Sequence, residues 1–289
     1  MSPVVIISAA RSGTKMLRYV LSASEEFAGY PYDANYVWKY GNYHIKHDEI
    51  NPSSIGENQK KKIRHFFLRS CRERAHSRLL EKSVSNSLRI PFVRSVFPNC
   101  KIIHLYRNGF DVAADARLCW QDSANSERIQ KKEDRIRKLK EFPISMAWPY
   151  LLEYAKSYGK KALFKQAYVE SWGPRYKNID RDVQERTLIE VCAMQWAKCV
   201  EHCCMELEKL ENGNDYIDLS YEALIAHPLE QLTKVIDFLK LKDGQSVLAR
   251  GQNTIKSDFV GSWKNSLSSE EVELIDNIIH TPQQMLNRM

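Results

Sequence analysis

The sequence predicts an α/β protein: a central parallel sheet flanked by helices on both faces. Three observations predict it. Short, largely apolar runs rich in Val and Ile, "VVII" at 4–7 and "KIIHLY" at 101–106, read as buried strands. Each run is followed by a tight polar turn and then by a stretch with helical spacing. The strand-turn-helix unit recurs late in the chain, which is the alternation of a parallel sheet.

The elements follow in order. Val4 to Ser8 is the first strand and Thr14 to Ser22 the helix after it. Lys101 to Tyr106 is a second strand; Asn108 caps the next helix and Asp111 sits in its first turn. "DYIDLS" from Asp215 to Ser220 is a third strand, followed by "YEALI" and by a helix that opens at Pro228. Two stretches read as insertions. Asn58 to Lys82 places Ile63, Phe67, Cys71 and Leu79 on one helical face with Lys and Arg opposite, a packed helix with a basic outer side. Ser123 to Arg186 joins the charge-dense "ERIQKKEDRIRKLK" to the aromatic "MAWPYLLEYAKSYG" and "YVESWGPRY", and reads as a helical lid or acceptor site. With no repeat or low-complexity linker, residues 1–289 read as a single domain.

The 289 residues carry a formal charge of +7 with 43% hydrophobic residues, which fits a globular protein with an anionic partner. No run is long enough to span a bilayer, and Val4 to Ile7 is too short for a signal-peptide core, so a cytoplasmic protein is expected. The seven cysteines form no CxxC pair, and Cys192, Cys199 and Cys203 share a stripe with Leu188, Trp196, Leu207 and Leu210, the buried face of a long helix. Reduced structural thiols are expected, and no metal site.

The chemistry begins at "SAARSGTK", residues 8–15. A turn between a buried strand and a helix N-terminus aims backbone N–H groups and the positive end of the helix dipole at one spot, which suits an oxyanion. The register differs from GxxxxGK[ST]: Ser8 stands at the first Gly, and Lys15 falls one place late after Gly13 and Thr14. Without a strand-borne Asp matched to Mg²⁺, neutralising the anion falls to Arg11 and Lys15. Lys15 is alternatively a solvated helix lysine.

This loop resembles the phosphosulfate-binding loop of the sulfotransferases that use 3′-phosphoadenosine 5′-phosphosulfate (PAPS), in which a Lys or Arg precedes Ser-Gly-Thr. "KIIHLYRNGFDVAADA" is similar to the family's second signature, "LSYEALIAHPLEQLTKVIDFLKL" to a segment ending in Phe-Leu, and "IKSDFVGSWKNSLSSEEV" to a C-terminal stretch with a Gly-x-Trp-Lys core. The resemblance implies a nucleotide-kinase-like fold, a metal-free transfer from PAPS to a hydroxyl, and release of adenosine 3′,5′-bisphosphate. By the same resemblance Arg11 contacts the sulfuryl group, the amides of Ser12, Gly13 and Thr14 hold the 5′-phosphate, and Arg107 binds the 3′-phosphate. Asp115 stands where the family has a Ser on that phosphate; a carboxylate there repels it unless it turns away or pairs with a cation such as Arg117. Tyr221 matches a residue packed on adenine, and Lys256 and Lys264 match basic residues near the nucleotide; otherwise they are a core tyrosine and surface lysines.

The acceptor hydroxyl needs a base. The His some members place two residues after a Lys is Val84 here, so the expected base is Asp33, by resemblance to members with a Glu beyond the first loop; alternatively it is a turn Asp after Pro31. Tyr32, Tyr36, Trp38 and Tyr40 then offer faces for a carbohydrate or glycan-lipid acceptor, which they share with an ordinary core role. His47, Asp48 and Glu49 are reserve bases, and Lys82 is expected to help bind acceptor or leaving group. Two alternatives are a degenerate P-loop kinase, opposed by the loop's register, and a non-catalytic polyanion or nucleic-acid binder using the basic faces of 59–78 and 130–140. Acidic residues interrupt both faces and no nucleic-acid motif spacing appears, so no nucleic-acid partner is expected.

Overall fold

The computed structural model describes residues 2–30, 32–72, 78–122, 172–256 and 260–289. Five parallel strands form one sheet in the order β2-β3-β1-β4-β5: β1 Val4–Ile7, β2 Phe27–Ala28, β3 Arg78–Lys82, β4 Lys101–Tyr106 and β5 Tyr216–Ser220. β1 is central, its Ile6 opposite Lys82 of β3 and Ile103 of β4.

The continuous apolar runs have the physical cause expected of a sheet covered on both sides. Val5 and Ile7 face a cluster that includes α3 (Glu57–Arg72) and α4 (Ile90–Val96), with Ile63, Phe66, Phe67 and Phe92. Val4 and Ile6 face the opposite cluster, with Leu17 and Val20 of α1 (Thr14–Leu21) and Leu232 and Val235 of α9 (Pro228–Leu239). All four β1 side chains are buried, each contributing roughly 1.5–3 kcal/mol. α2 is the short Asn35–Trp38. A third cluster joins α5 (Gly109–Asp122), α6 (Ile179–Glu185), α7 (Leu188–Leu207) and α11 (Ser269–Leu286). α8 (Tyr221–Ala226) and α10 (Gly244–Thr254) complete the described α-helices.

The expected strands and helices at 4–22, 101–122 and 215–239 are present within a residue or so. Cys192, Cys199 and Cys203 are buried in α7 as free thiols, and burial pushes the Cys199 thiol up to about 12. The reading of 58–82 as a helical insertion is corrected: α3 ends at Arg72, Leu79 belongs to β3, and the segment supplies a strand next to β1. Most of the other expected insertion, and the basic stretch 130–140, lies outside the described residues.

Candidate active site

In this strand order the chain leaves β1 toward β2 and leaves β4 toward β5, so a crevice opens between the carboxyl ends of β1 and β4. The loop 8–13 lies there. Ser8 Oγ donates to the Leu105 carbonyl of β4, pinning the loop's start. Arg11 and Gly13 both adopt left-handed backbone, φ 69° and 86°. The first bond of α1 runs from Leu17 N–H to the Gly13 carbonyl (3.0 Å), so the N–H groups of Thr14, Lys15 and Met16 precede the ladder. Ser12 is fully buried, yet among the described residues its hydroxyl has no partner. A buried orphan hydroxyl beside unsatisfied helix amides suits an oxyanion.

The far wall holds the loop's shape. Arg107 leaves β4 and donates from Nη1 to the Arg11 carbonyl (2.8 Å) and to Asp115 Oδ2 (2.7 Å). Its guanidinium lies 4.8 Å from the centre of the Tyr221 ring, and that ring abuts Gly13 closely enough that a Cβ there would meet it at 2.7 Å. Trp196 Nε1 donates to the Arg107 carbonyl (2.9 Å), and Asn108 N–H to Glu222 (2.8 Å). Asn108 Oδ1 in turn caps α5, accepting from Phe110 N–H at 3.0 Å. Asp111 in the first turn of α5 accepts from Gly261 N–H (2.9 Å) and Trp263 N–H (3.0 Å), and Trp263 stacks on Phe110. The Gly-x-Trp-Lys stretch is thereby fastened beside the crevice.

A second charged group lies at the end of β3. Lys82 Nζ, with its side chain 3% exposed, donates to Asp33 Oδ1 at 2.6 Å; Asp33 is 36% exposed. Burial pushes the Lys82 pKa down, Asp33 opposes this, and the charges of Arg18 and Lys15 push the same way as burial. Lys15 and Arg18 are neighbours on α1, so α1, β3 and the Asp33 loop converge here. Glu81, which the strand alternation turns to the other face, accepts from Ser83 Oγ (2.5 Å), Asn86 (2.8 Å) and Trp38 Nε1 (3.1 Å), and burial raises its pKa. Fully buried Arg89 donates to Asn86 (2.9 Å) and Asn35 (2.6 Å) and lies 3.6 Å from Asp48.

Several expectations are corrected by this geometry. Asp48 is no base: it is 1% exposed and accepts from Ser85 Oγ (2.8 Å) and Arg175 N–H (2.9 Å). Burial opposes its charge, but Arg89, Lys39 and these hydrogen bonds prevail and hold the carboxyl below its ordinary value. Glu49 accepts from Lys177 N–H (2.6 Å), so 48–49 tie the loop to 175–177. Asp115 pairs with Arg107 rather than Arg117, which bonds Glu271 instead. Tyr221 is 5% exposed and packs as a core ring under the loop. Tyr32, Trp38 and Tyr40 are buried in the core cluster of α3, so they offer no acceptor platform. Lys256 and Lys264 are exposed, Lys264 Nζ lying 6.0 Å from the Trp263 ring centre. His47 is half-buried. Arg18, Glu81, Arg89 and the Gly13–Tyr221 contact are site features that sequence reasoning missed; only Arg18, three residues after Lys15, left a periodic signal. Among the described residues no group of three or more His, Cys, Asp or Glu side chains gathers as a metal site, and no helix is long and apolar enough to cross a membrane.

Residues 3–142 match the model of a sulfotransferase family. No curated protein matches the chain. Among solved structures, the sulfotransferase domain of the curacin biosynthetic pathway superposes with a TM-score of 0.53 at 15% identity, over 99% of this chain and 96% of that one. The sulfotransferase domain of the Synechococcus PCC 7002 olefin synthase gives 0.53 at 14% identity, over 96% and 94%. A Mycobacterium avium sulfotransferase gives 0.51 at 12% identity, over 96% and 75%. These likenesses establish a shared fold, and the family match begins at β1 and runs through the loop 8–15 and Arg107.

Proposed function

We propose that the protein transfers the sulfuryl group of PAPS to an acceptor hydroxyl, and that the acceptor is a carbohydrate or glycan. One observation carries the donor site: the loop 8–15 presents unsatisfied helix amides and a buried orphan Ser12 hydroxyl in a crevice flanked by Arg11 and Lys15. The donor supplies an activated sulfuryl group, and its departing phosphate gains negative charge. Arg11, 44% exposed at the mouth of the crevice, reaches the sulfuryl and bridging oxygens and stabilises that charge. The amides of Ser12, Gly13 and Thr14 hold the 5′-phosphate, and Lys15 adds a second cation. Arg107, with Lys256 and Lys264 toward the surface, serves the far end of the nucleotide.

Asp33 takes the proton from the acceptor hydroxyl, the more exposed partner of its pair with Lys82. Lys82 donates to Asp33 and holds it in place before the acceptor arrives. Support for a carbohydrate acceptor comes from the aromatic-rich sequence at 146–176, since Tyr32, Trp38 and Tyr40 near Asp33 are core. Calorimetry with adenosine 3′,5′-bisphosphate against ATP with Mg²⁺ tests the donor class. Saturable, metal-independent binding of the bisphosphate is expected, and a preference for ATP with Mg²⁺ refutes the reading.

A further inference from the structure

The far wall of the crevice is charge-balanced before any nucleotide enters. Arg107 is 3% exposed, and its Nη1 is shared between the Arg11 carbonyl (2.8 Å) and Asp115 (2.7 Å) while Nη2 lies 3.9 Å from Asp111. Arg11 Nη2 also lies 3.9 Å from Asp115. Two arginines therefore face two aspartates. Asp115 is 16% exposed and Arg107 only 3%, so the carboxylate is the more accessible partner of the pair. An ionised carboxylate accepts hydrogen bonds and repels an oxyanion, which suits a hydroxyl and penalises a phosphate. Dinucleotide-binding folds separate ribose hydroxyl from ribose phosphate by the same exchange of an acidic residue for an arginine. The other end differs: the loop 8–15 keeps its amides, Ser12 hydroxyl and Lys15 clear of any carboxylate partner among the described residues.

We propose that Asp115 is a specificity-determining residue for the donor: it relaxes the demand for a 3′-phosphate, so the site accepts an adenosine 5′-phosphosulfate-type nucleotide with a free 3′-hydroxyl alongside the 3′-phosphorylated form. The proposal rests on the donor reading above, in which Arg107 serves the ribose end.

The test is calorimetric titration of the full chain, and of Asp115→Ser and Asp115→Asn, with adenosine 3′,5′-bisphosphate and with adenosine 5′-monophosphate. In the unaltered protein the two dissociation constants are expected to lie within about tenfold of each other. Both substitutions are expected to tighten the bisphosphate by about tenfold or more while leaving the monophosphate unchanged. The readout is a ratio within each variant, so a general loss of stability that weakens both ligands equally does not move it. A ratio unchanged by both substitutions, or an unaltered protein that prefers the bisphosphate by about a hundredfold, overturns the proposal and leaves the donor reading standing. Failure of either nucleotide to bind the folded, unaltered protein overturns both.

Discussion

Gly13→Ala probes the construction of the donor loop. Gly13 has φ 86°, where an L-residue costs about 1–2 kcal/mol. The added Cβ would also lie 2.7 Å from two carbons of the Tyr221 ring. That ring is 5% exposed with the Arg107 guanidinium 4.8 Å from its centre, so it has little room to retreat, and overpacking of this kind costs about 1–3 kcal/mol. The sum, about 2–5 kcal/mol, is a large share of a typical stability of roughly 5–15 kcal/mol. Urea unfolding of Gly13→Ala, Tyr221→Ala and the double variant separates the two parts. In the Tyr221→Ala background the alanine should cost only the backbone part, leaving a coupling of about 1–3 kcal/mol between the sites. A Gly13→Ala protein within about 0.5 kcal/mol of the parent, or strictly additive variants, would refute a loop braced by Tyr221.

Arg11→Ala should leave stability within about 0.5 kcal/mol, because the side chain is 44% exposed and its ion pair spans 3.9 Å. Release of adenosine bisphosphate from PAPS should fall by about a hundredfold or more, and unchanged turnover would remove Arg11 from the chemistry. Lys82→Met deletes a buried ammonium whose partner Asp33 is exposed enough to hydrate, so urea unfolding should show stability unchanged or raised by about 1 kcal/mol while transfer is lost. Any gain should shrink as pH rises toward 10.5: Lys82, its pKa lowered, sheds its proton in the folded state first, and the parent gains stability there. Asp48→Ala strands the fully buried Arg89 and should cost about 3–5 kcal/mol. Because the Asp48 pKa lies below 3.8 in the folded state, its contribution is present above that pH and lost on acidification. Asp48→Asn should therefore flatten the acid limb of the stability curve, and an unaltered limb would count against the pair.

The parts legible in the sequence were those whose cause is local. Ile102, Ile103 and Leu105 of "KIIHLY" are apolar because both faces of β4 are covered, and Asn108 caps α5 through its own neighbours. β3 was hidden because "RLLEK" buries Arg78, Glu81 and Lys82, while Leu79 continues the helical phase of Ile63, Phe67 and Cys71. β2, two residues long, carries no period at all. At the site the loop 8–15 was readable from turn chemistry and charge. Asp48 was not, because Arg89, Ser85 and Arg175 reach it from distant segments. The Asp115 partner was misread for a similar reason: Arg107 lies across the turn that starts α5, while Arg117, nearer in sequence, points to Glu271.

The loop's role in holding the donor is tested most directly by amide-resolved NMR of the ¹⁵N-labelled chain titrated with adenosine 3′,5′-bisphosphate. The largest shifts should fall on the amides of Ser12, Gly13, Thr14 and Lys15, with smaller ones at Arg107. Saturating ligand that leaves those four amides unmoved while shifting others would contradict it.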